Sequence, residues 1–137
     1  MDNKVEVQIE SMKTFQEFFY SGDMKFLYFL MILMLVDIVT GFAKALKNQN
    51  LWSKKSLRGT AKKMLIFCII ILANIIDMIL NLSGALLTMT VLYYIAHEGL
   101  SIVENCAEMD VLVPEQIKEK LKVMDHDSKD NKDDKEV

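Results

Sequence analysis

Two long apolar runs constrain the fold of this chain more than any other feature of its sequence. Residues 26–43 (FLYFLMILMLVDIVTGFA) contain one charged residue, Asp37, and residues 64–82 (MLIFCIIILANIIDMILNL) also contain only one, Asp77. A helix needs about 20 residues, and at least about 17, to cross the hydrocarbon of a bilayer. A helix of a soluble bundle would instead carry a polar stripe, and residues 65–73 have none. Both runs therefore predict membrane-spanning helices.

A third run, residues 85–103, is less apolar because it includes His97 and Glu98. It qualifies as a span if these two side chains are accommodated within or near the membrane. Only five Gly and one Pro occur in 137 residues, which disfavours a β architecture with many turns. The predicted fold is an all-α integral membrane protein with a transmembrane domain at 26–105 and spans at about 26–43, 64–82 and 85–103.

The segments that flank the spans differ from them in composition. Residues 1–25 form an N-terminal segment, in which apolar residues recur at helical spacing between Val5 and Phe19. This pattern predicts an amphipathic helix that lies on a membrane surface or packs on the bundle or on a neighbouring copy. A short cytoplasmic helix is expected within residues 106–124, with Pro114 and Glu115 suited to its first turn. Residues 125–137 are a charged C-terminal tail that we expect to be disordered.

The segment between the first two spans predicts the orientation. Residues 44–63 contain seven basic residues and no acidic one, so the positive-inside rule places this loop in the cytoplasm. Three spans then put the C-terminus inside and the N-terminus outside, although a two-span or dynamic topology stays open. No signal-peptide cleavage site precedes the first span, which indicates an uncleaved multi-span protein. The residues expected to hold this topology at the lipid headgroups are Lys44, Lys47, Trp52, Lys54, Lys55, Arg58, Lys62 and Lys63.

Polar residues inside the spans carry the functional signal. They recur at helical spacing along one side of each span, and a charge at mid-membrane costs about 2.5–3.5 kcal/mol unless it faces protein or water. The stripes could face one another within a monomer or across copies, with Asp37 bridging to Lys44 or Lys62, or they could line a lumen between assembled copies. The candidates for contacts between copies or for the lumen are Asp37, Thr40, Gly41, Asn74, Asp77, Asn81, Tyr94, Glu98, Gly99, Ser101, Glu104 and Asn105.

Enzymatic, metal and nucleic-acid functions find little support. His97-Glu98 is not followed by a second histidine, so it is not a zinc-protease motif, and neither Cys68 nor Cys106 has a partner at metal-ligand spacing. We see no glycine-rich phosphate loop, and we expect no catalytic residue, cofactor or metal. The basic loop is too short and too closely held between two spans to suggest nucleic-acid binding.

Three blocks of the chain resemble the phage lysis and toxin-secretion holins (holin family 4, which includes holin-like proteins of clostridial toxin loci). They are DIVTGFAKALKNQNLWSKKSLRGTAKK, the Asn-Ile-Ile-Asp end of the second span, and YYIAHEGLSIVENCAEMDVLVPEQIKEKL. Residues 110–113 depart from the family's commoner Gly-Leu-Pro-like turn. The resemblance covers about residues 26–122, and its matched positions are Asp37, Thr40, Gly41, Gly59, Lys62, Lys63, Asp77, Glu98, Gly99, Ser101, Glu104 and Asn105.

The resemblance implies a non-enzymatic pore former. Such a protein accumulates in the cytoplasmic membrane of a bacterium, here expected to be Gram-positive, and forms homo-oligomers among the membrane lipids. Its lesions release an endolysin or a large toxin without a signal peptide, with no stable contact to that cargo, and a regulatory antiholin is compatible with this role. Gly41 and Gly99 would allow close helix approach. Two alternatives remain at this stage: a membrane scaffold without a pore, and a narrow ion channel that uses Asp37, Asp77 and Glu98 as ion ligands.

Overall fold

The computed structural model describes residues 3–51 and 54–133, and the side chains at 55–57, 60 and 126–133 lie outside that description. Within this part the chain is helical and has no strand. The helices are α1 (Asn3–Phe19), α2 (Met24–Lys47), α3 (Lys54–Leu80), α4 (Ala85–Glu108) and α5 (Glu115–Asp133). The all-α prediction with an N-terminal amphipathic helix is thus confirmed.

Three stretches of helix are long and apolar enough to cross a membrane: Met24–Lys47, Ala61–Leu80 and Ala85–Glu108. They correspond to the three predicted spans, but α2 and α3 also extend into the basic segment 44–63, which leaves only residues 48–53 between them. Lysine and arginine favour helix, and Lys44 and Lys47 lie in the last turn of α2, where the helix dipole favours cations.

The packing centres on α4, which contacts α2, α3 and α5. The core between α2, α3 and α4 is apolar, and three of its side chains, Leu30, Leu87 and Val91, are fully buried. In contrast, most large apolar side chains of α2 and α3 point away from the core and are exposed, as expected for surfaces that face lipid.

Helices α2 and α4 run parallel to each other with a constant register. Hydrogen bonds join Thr40 to Asn105, Lys44 to Glu108, and Lys47 to Asp110, pairs that are 65, 64 and 63 positions apart. Near the other end of the pair, a Leu87 methyl group lies 3.1 Å from the position that a Cβ on Gly22 would take. Residues about 64 positions apart in α2 and α4 therefore lie at the same level along the bundle.

After α4, residues 109–114 turn the chain so that α5 packs back against α4. The contact is close at Gly99, where an added Cβ would lie 2.7 Å from Leu121 Cδ2. The helix begins directly after Pro114, and its backbone stays helical to Asp133, into the segment for which the composition predicts no fixed structure. Residues 115–133 contain no Gly or Pro, the residues that most often end a helix.

Candidate functional site

A buried ionic cluster joins α2, α3 and α4 through Lys63. The Lys63 Nζ donates a 2.8 Å hydrogen bond to Asp37 Oδ2 and a further one to Glu98 Oε2. The side chains of Lys63, Asp37 and Glu98 are only 15%, 12% and 4% exposed. One cation thus holds two carboxylates that come from two different helices, so this cluster ties all three membrane-length helices together.

The amide of Asn105 extends this cluster on the α4 side. Its Nδ2 donates to Asp37 Oδ1 at 2.9 Å and to Thr40 Oγ1 at 3.2 Å, and the Thr40 hydroxyl in turn donates to the backbone carbonyl of Asp37 at 3.1 Å. Gly41 lies beside this network, since a Cβ there would be 3.6 Å from Asn105 Nδ2. A Cβ at this distance would make an ordinary contact, so Gly41 faces the polar cluster and only a side chain larger than alanine would press on it.

The cluster carries a formal charge of −1 when all three ionisable groups are charged, because two carboxylates share one ammonium. Two carboxylates in a largely buried site repel each other, and the Lys63 ammonium and Asn105 amide offset that repulsion. Every buried side-chain nitrogen and oxygen in the described part of the chain has a hydrogen-bond partner. The site is thus satisfied within one chain, as burial in an apolar medium requires.

Asp77 serves a different purpose at the other end of the bundle. Its Oδ1 accepts from the Gly84 N–H at 2.7 Å and its Oδ2 accepts from the Leu87 N–H at 3.1 Å. These are among the first N–H groups of α4, which have no partner within the helix, and Gly84 as the N-cap residue has no side chain to supply one. The carboxylate of α3 therefore caps α4 and complements the positive end of its dipole.

Asn74, which is fully buried, fastens α1 to α3. Its Oδ1 accepts from the Ser21 N–H at 3.1 Å and from the Ser21 hydroxyl at 2.8 Å, and its Nδ2 donates to the carbonyls of Glu17 at 3.1 Å and Phe18 at 2.8 Å. One amide thus satisfies groups at the C-terminal end of α1. Close by, burial raises the pKa of Tyr20, and the charge of Asp23 adds to that rise.

The ends of α2 and α4 are joined by exposed ion pairs. Lys44 Nζ lies 2.7 Å from Glu108 Oε1, and Lys47 Nζ lies 2.7 Å from Asp110 Oδ2. Lys47 also donates to the Glu108 backbone carbonyl at 2.9 Å. The hydrogen bond from Lys47, together with its charge, lowers the pKa of the Asp110 carboxyl.

The expected bridge from Asp37 to Lys44 or Lys62 is replaced by the bond to Lys63. Lys44 binds Glu108 instead, and Lys62 is exposed. Neighbouring residues on a helix point about 100° apart, so the step from Lys62 to Lys63 decides which lysine reaches the interior.

The remaining candidates lie outside these networks. Tyr94 packs against the core, Ser101 is half-buried, and Glu104 and Asn81 are exposed. Lys54 and Arg58 are exposed, whereas Trp52 and the side chain of Lys55 lie outside the described residues.

Of the three carboxylates suggested as ion ligands, Asp37 and Glu98 meet at Lys63, and Asp77 lies apart from them. Asp77 lies 14 residues from Lys63 on α3, which corresponds to about 21 Å along the helix. Within the described part of the chain, no three His, Cys, Asp or Glu side chains are grouped so that they could hold a metal ion.

Ser21 and Asp110 take part in these contacts although they were not among the sequence candidates. Ser21 lies in a linker without periodicity, so no pattern marks it. Asp110 could have been suspected, because an acidic residue just past a helix that ends beside a basic segment has cations within reach.

Comparison with known proteins finds one matching family and several relatives. Residues 14–126 match the family model of the bacteriophage holin family. The chain is 45% identical over 115 residues to a probable holin of Bacillus phage phi105, a match that covers 82% of this chain and 85% of that protein. It is also 42% identical over 111 residues to the uncharacterized protein YqxH of Bacillus subtilis (strain 168), with 81% and 79% covered.

A further relative is an uncharacterized 14.9 kDa protein from the nagH 3' region of Clostridium perfringens, which is 37% identical over 98 residues, with 71% of this chain and 74% of that protein covered. No solved structure shows a significant match. The three apolar helices and the family match together identify a membrane protein.

Proposed function

The chain belongs to the bacteriophage holin family, and we propose that it assembles in the bacterial cytoplasmic membrane into lesions that pass folded protein. The cargo is an endolysin or a large toxin without a signal peptide, and the outcome is lysis or protein export. Family membership points to a non-enzymatic role, and the relatives from Bacillus and Clostridium agree with a Gram-positive host.

The observation that carries this proposal is the filled interior of the three-helix unit. Leu30, Leu87 and Val91 are fully buried between the helices, and Asp37 and Glu98 both bind Lys63 between the same helices. A passage wide enough for a protein therefore has to form between copies, and not through one. The exposed apolar faces of α2 and α3 keep each copy in the membrane while the copies associate.

The orientation follows from the ends of the bundle. Lys44, Lys47, Lys54 and Lys62 lie at one end, and the positive-inside rule places that end in the cytoplasm. The Asn74 amide then holds α1 at the outer end, because α3 runs from the basic end towards Leu80. In this topology the N-terminus faces out and α5 begins on the cytoplasmic side, after Pro114.

The test is release of a co-expressed endolysin that lacks a signal peptide, measured in a Gram-positive host after induction, with membrane accumulation followed by immunoblot. Sudden release at a reproducible time supports the proposal. Potassium leakage without protein release would indicate a narrow channel. Unchanged permeability at full accumulation would indicate a scaffold.

Two glycine variants provide a matched control within this assay. Gly41→Leu puts a large side chain where α2 meets Asn105, so it should delay or abolish release. Gly59→Leu places the same side chain where, among the described residues, no atom outside the helix's own backbone and the adjacent residues lies within 4 Å of the Cβ position, so it should leave the timing unchanged. Equal timing in both variants would mean that the α2–α4 approach has no part in lesion formation.

A further inference from the structure

One side of α4 is left open in the packed chain. Met89, Tyr93, His97, Leu100 and Glu104 follow one another at spacings of four, four, three and four residues, which places them on a single helix face. Met89, His97 and Glu104 are exposed, while Tyr93 and Leu100 are half-buried. These five residues are termed the open stripe. Leu87, Val91, Glu98 and Asn105 lie on the opposite side of α4 and are buried.

The open stripe lies at the depth of the membrane hydrocarbon. In the parallel register of α2 and α4, His97 is level with Leu33 of α2. On either side of Leu33, α2 exposes only apolar side chains outward: Ile32 is 57% exposed and Leu35 is 62% exposed. An open imidazole therefore stands at a level where the neighbouring helix is built to contact lipid tails.

Contact with lipid tails is unfavourable for the polar side chains of the open stripe. Polar and ionisable side chains within a membrane span are costly against hydrocarbon and almost always face protein or water. The open stripe is not covered by α5, because α5 packs on α4 at Gly99, on another side of the helix. The open stripe consequently needs a partner that a single chain does not provide.

We propose that the open stripe is the surface through which a second copy of this chain packs, α4 against α4 in parallel. This deepens the proposed function and rests on it, since it names the contact through which copies assemble. Copies that insert with the same orientation present the same residues at the same depth. Four members of the stripe, from Tyr93 to Glu104, are spaced by four, three and four residues, which is the alternation by which parallel helices interlock their side chains.

The polar members of the stripe are self-complementary. A neutral imidazole has one donor and one acceptor nitrogen, and a phenol both donates and accepts, so His97 and Tyr93 can bond to their own counterparts in a second copy. Within one chain the two rings are already stacked, with centroids 6.2 Å apart and planes inclined by 12°. A surface held in place before contact loses less conformational freedom on association. Glu104 lies one turn from the helix end at Glu108, where water can reach it.

Disulfide trapping in membranes tests the contact directly. The parent is Cys68→Ser/Cys106→Ser, and single cysteines are introduced as Tyr93→Cys or His97→Cys on the stripe. Ile32→Cys and Leu35→Cys on the lipid face of α2 are controls at the same depth. Because a disulfide requires Cα atoms within about 7 Å, oxidation with copper phenanthroline should give disulfide-linked dimers at the stripe positions and only background yield at the control positions. Equal yields at all positions would refute the proposal.

A membrane-impermeant thiosulfonate reagent distinguishes packing from exposure to water. If His97→Cys reacts with this reagent and forms no dimer, the stripe faces water and the proposal is wrong. Protein release is measured in the same cells. Release without stripe-specific dimers would support the proposed function and refute the packing of copies through the open stripe. Stripe-specific dimers without release would support the packing and refute the proposed function.

A charge swap gives a second test that does not depend on cysteine chemistry. Two differently tagged copies are co-expressed, and co-purification in mild detergent is measured. Two His97→Glu copies would place like charges at the same depth, so recovery should fall about tenfold, the factor that corresponds to about 1.4 kcal/mol. His97→Glu with His97→Lys should recover pairing, since unlike charges then meet. Equal recovery of the like and unlike pairs would show that His97 does not face His97.

Discussion

Removing the ammonium of the buried cluster should cost far more stability than removing one of its carboxylates. Lys63→Met leaves Asp37 and Glu98 buried with no cation, whereas Glu98→Gln leaves a neutral pair of Lys63 and Asp37. The variants thus differ in the charge that they leave inside the bundle, −2 for Lys63→Met and 0 for Glu98→Gln, although each deletes one charged group from the same network.

The geometry sets the size of the difference. At 2.8 Å, and with an effective dielectric of about 20, the attraction between Lys63 and Asp37 is about 6 kcal/mol before desolvation is counted. Desolvation offsets most of that gain, but breaking a buried pair by removing one partner costs about 3–5 kcal/mol, because the other charge stays buried and unpaired. Glu98→Gln loses one charge-assisted hydrogen bond and should cost about 1–2 kcal/mol. The double variant Lys63→Met/Glu98→Gln leaves one unpaired carboxylate where Lys63→Met leaves two, so it should be more stable than Lys63→Met alone.

The assay is SDS titration of the purified protein in mixed micelles, with helix content followed by circular dichroism. Lys62→Met is the matched control, because Lys62 is adjacent and exposed, and its loss should change the free energy of unfolding by less than about 0.5 kcal/mol. The reasoning would be refuted if Lys63→Met changed the free energy of unfolding as little as Lys62→Met, or if Glu98→Gln lowered it more than Lys63→Met. Either result would mean that Lys63 does not compensate the charges of Asp37 and Glu98.

Three further outcomes are expected. Asn74→Ala should raise the rate of amide hydrogen exchange in α1 while leaving α4 protected, because the amide that binds the end of α1 is lost; unchanged exchange would mean that α1 is held elsewhere. Gly99→Val should expose α5 to protease, since a Cβ there would lie 2.7 Å from Leu121 Cδ2, and Leu121→Ala should reverse the effect if that contact is the cause. Lowering the pH below the ordinary Asp110 value of 3.8 should loosen the ends of α2 and α4. A carboxyl whose pKa is lowered on folding stabilises the fold above its unfolded pKa, and that contribution is lost as the pH falls through its folded pKa. A pH titration followed by nuclear magnetic resonance should show this loosening, and Lys47→Met should abolish it because Lys47 lowers the pKa of Asp110.

The number of spans and their order could be predicted because they depend on local properties. Hydropathy over about 20 residues decides whether a helix crosses a membrane. The expectation that Gly41 faces another helix has a similarly local reason, since small residues let helices approach in lipid, and the structure places Asn105 of α4 beside it. These features need no knowledge of how distant parts of the chain meet.

The pairing of polar residues could not be predicted in the same way. Asp37 selects Lys63 and not Lys62 because of the rotation of α3 against α2, and no pattern in either helix specifies that rotation. The same is true of Asp77, whose spacing with Asn74 suggested a common stripe, although the two residues cap different helices. Nor could the sequence decide which side of α4 stays open, because Glu98 and Glu104 are both acidic residues of the same helix and only packing places one inside.

The capping of α4 by Asp77 also bears on how the protein enters the membrane. The first amides of α4 obtain their acceptors from the helix that precedes them in the chain, across a turn of only four residues, 81–84. Neither helix would be fully satisfied in lipid if it inserted alone, because α4 would bring unpaired N–H groups and α3 an unneutralised carboxylate. We therefore expect the second and third spans to enter the bilayer as one hairpin during biogenesis, with the turn closed before the hydrocarbon is crossed.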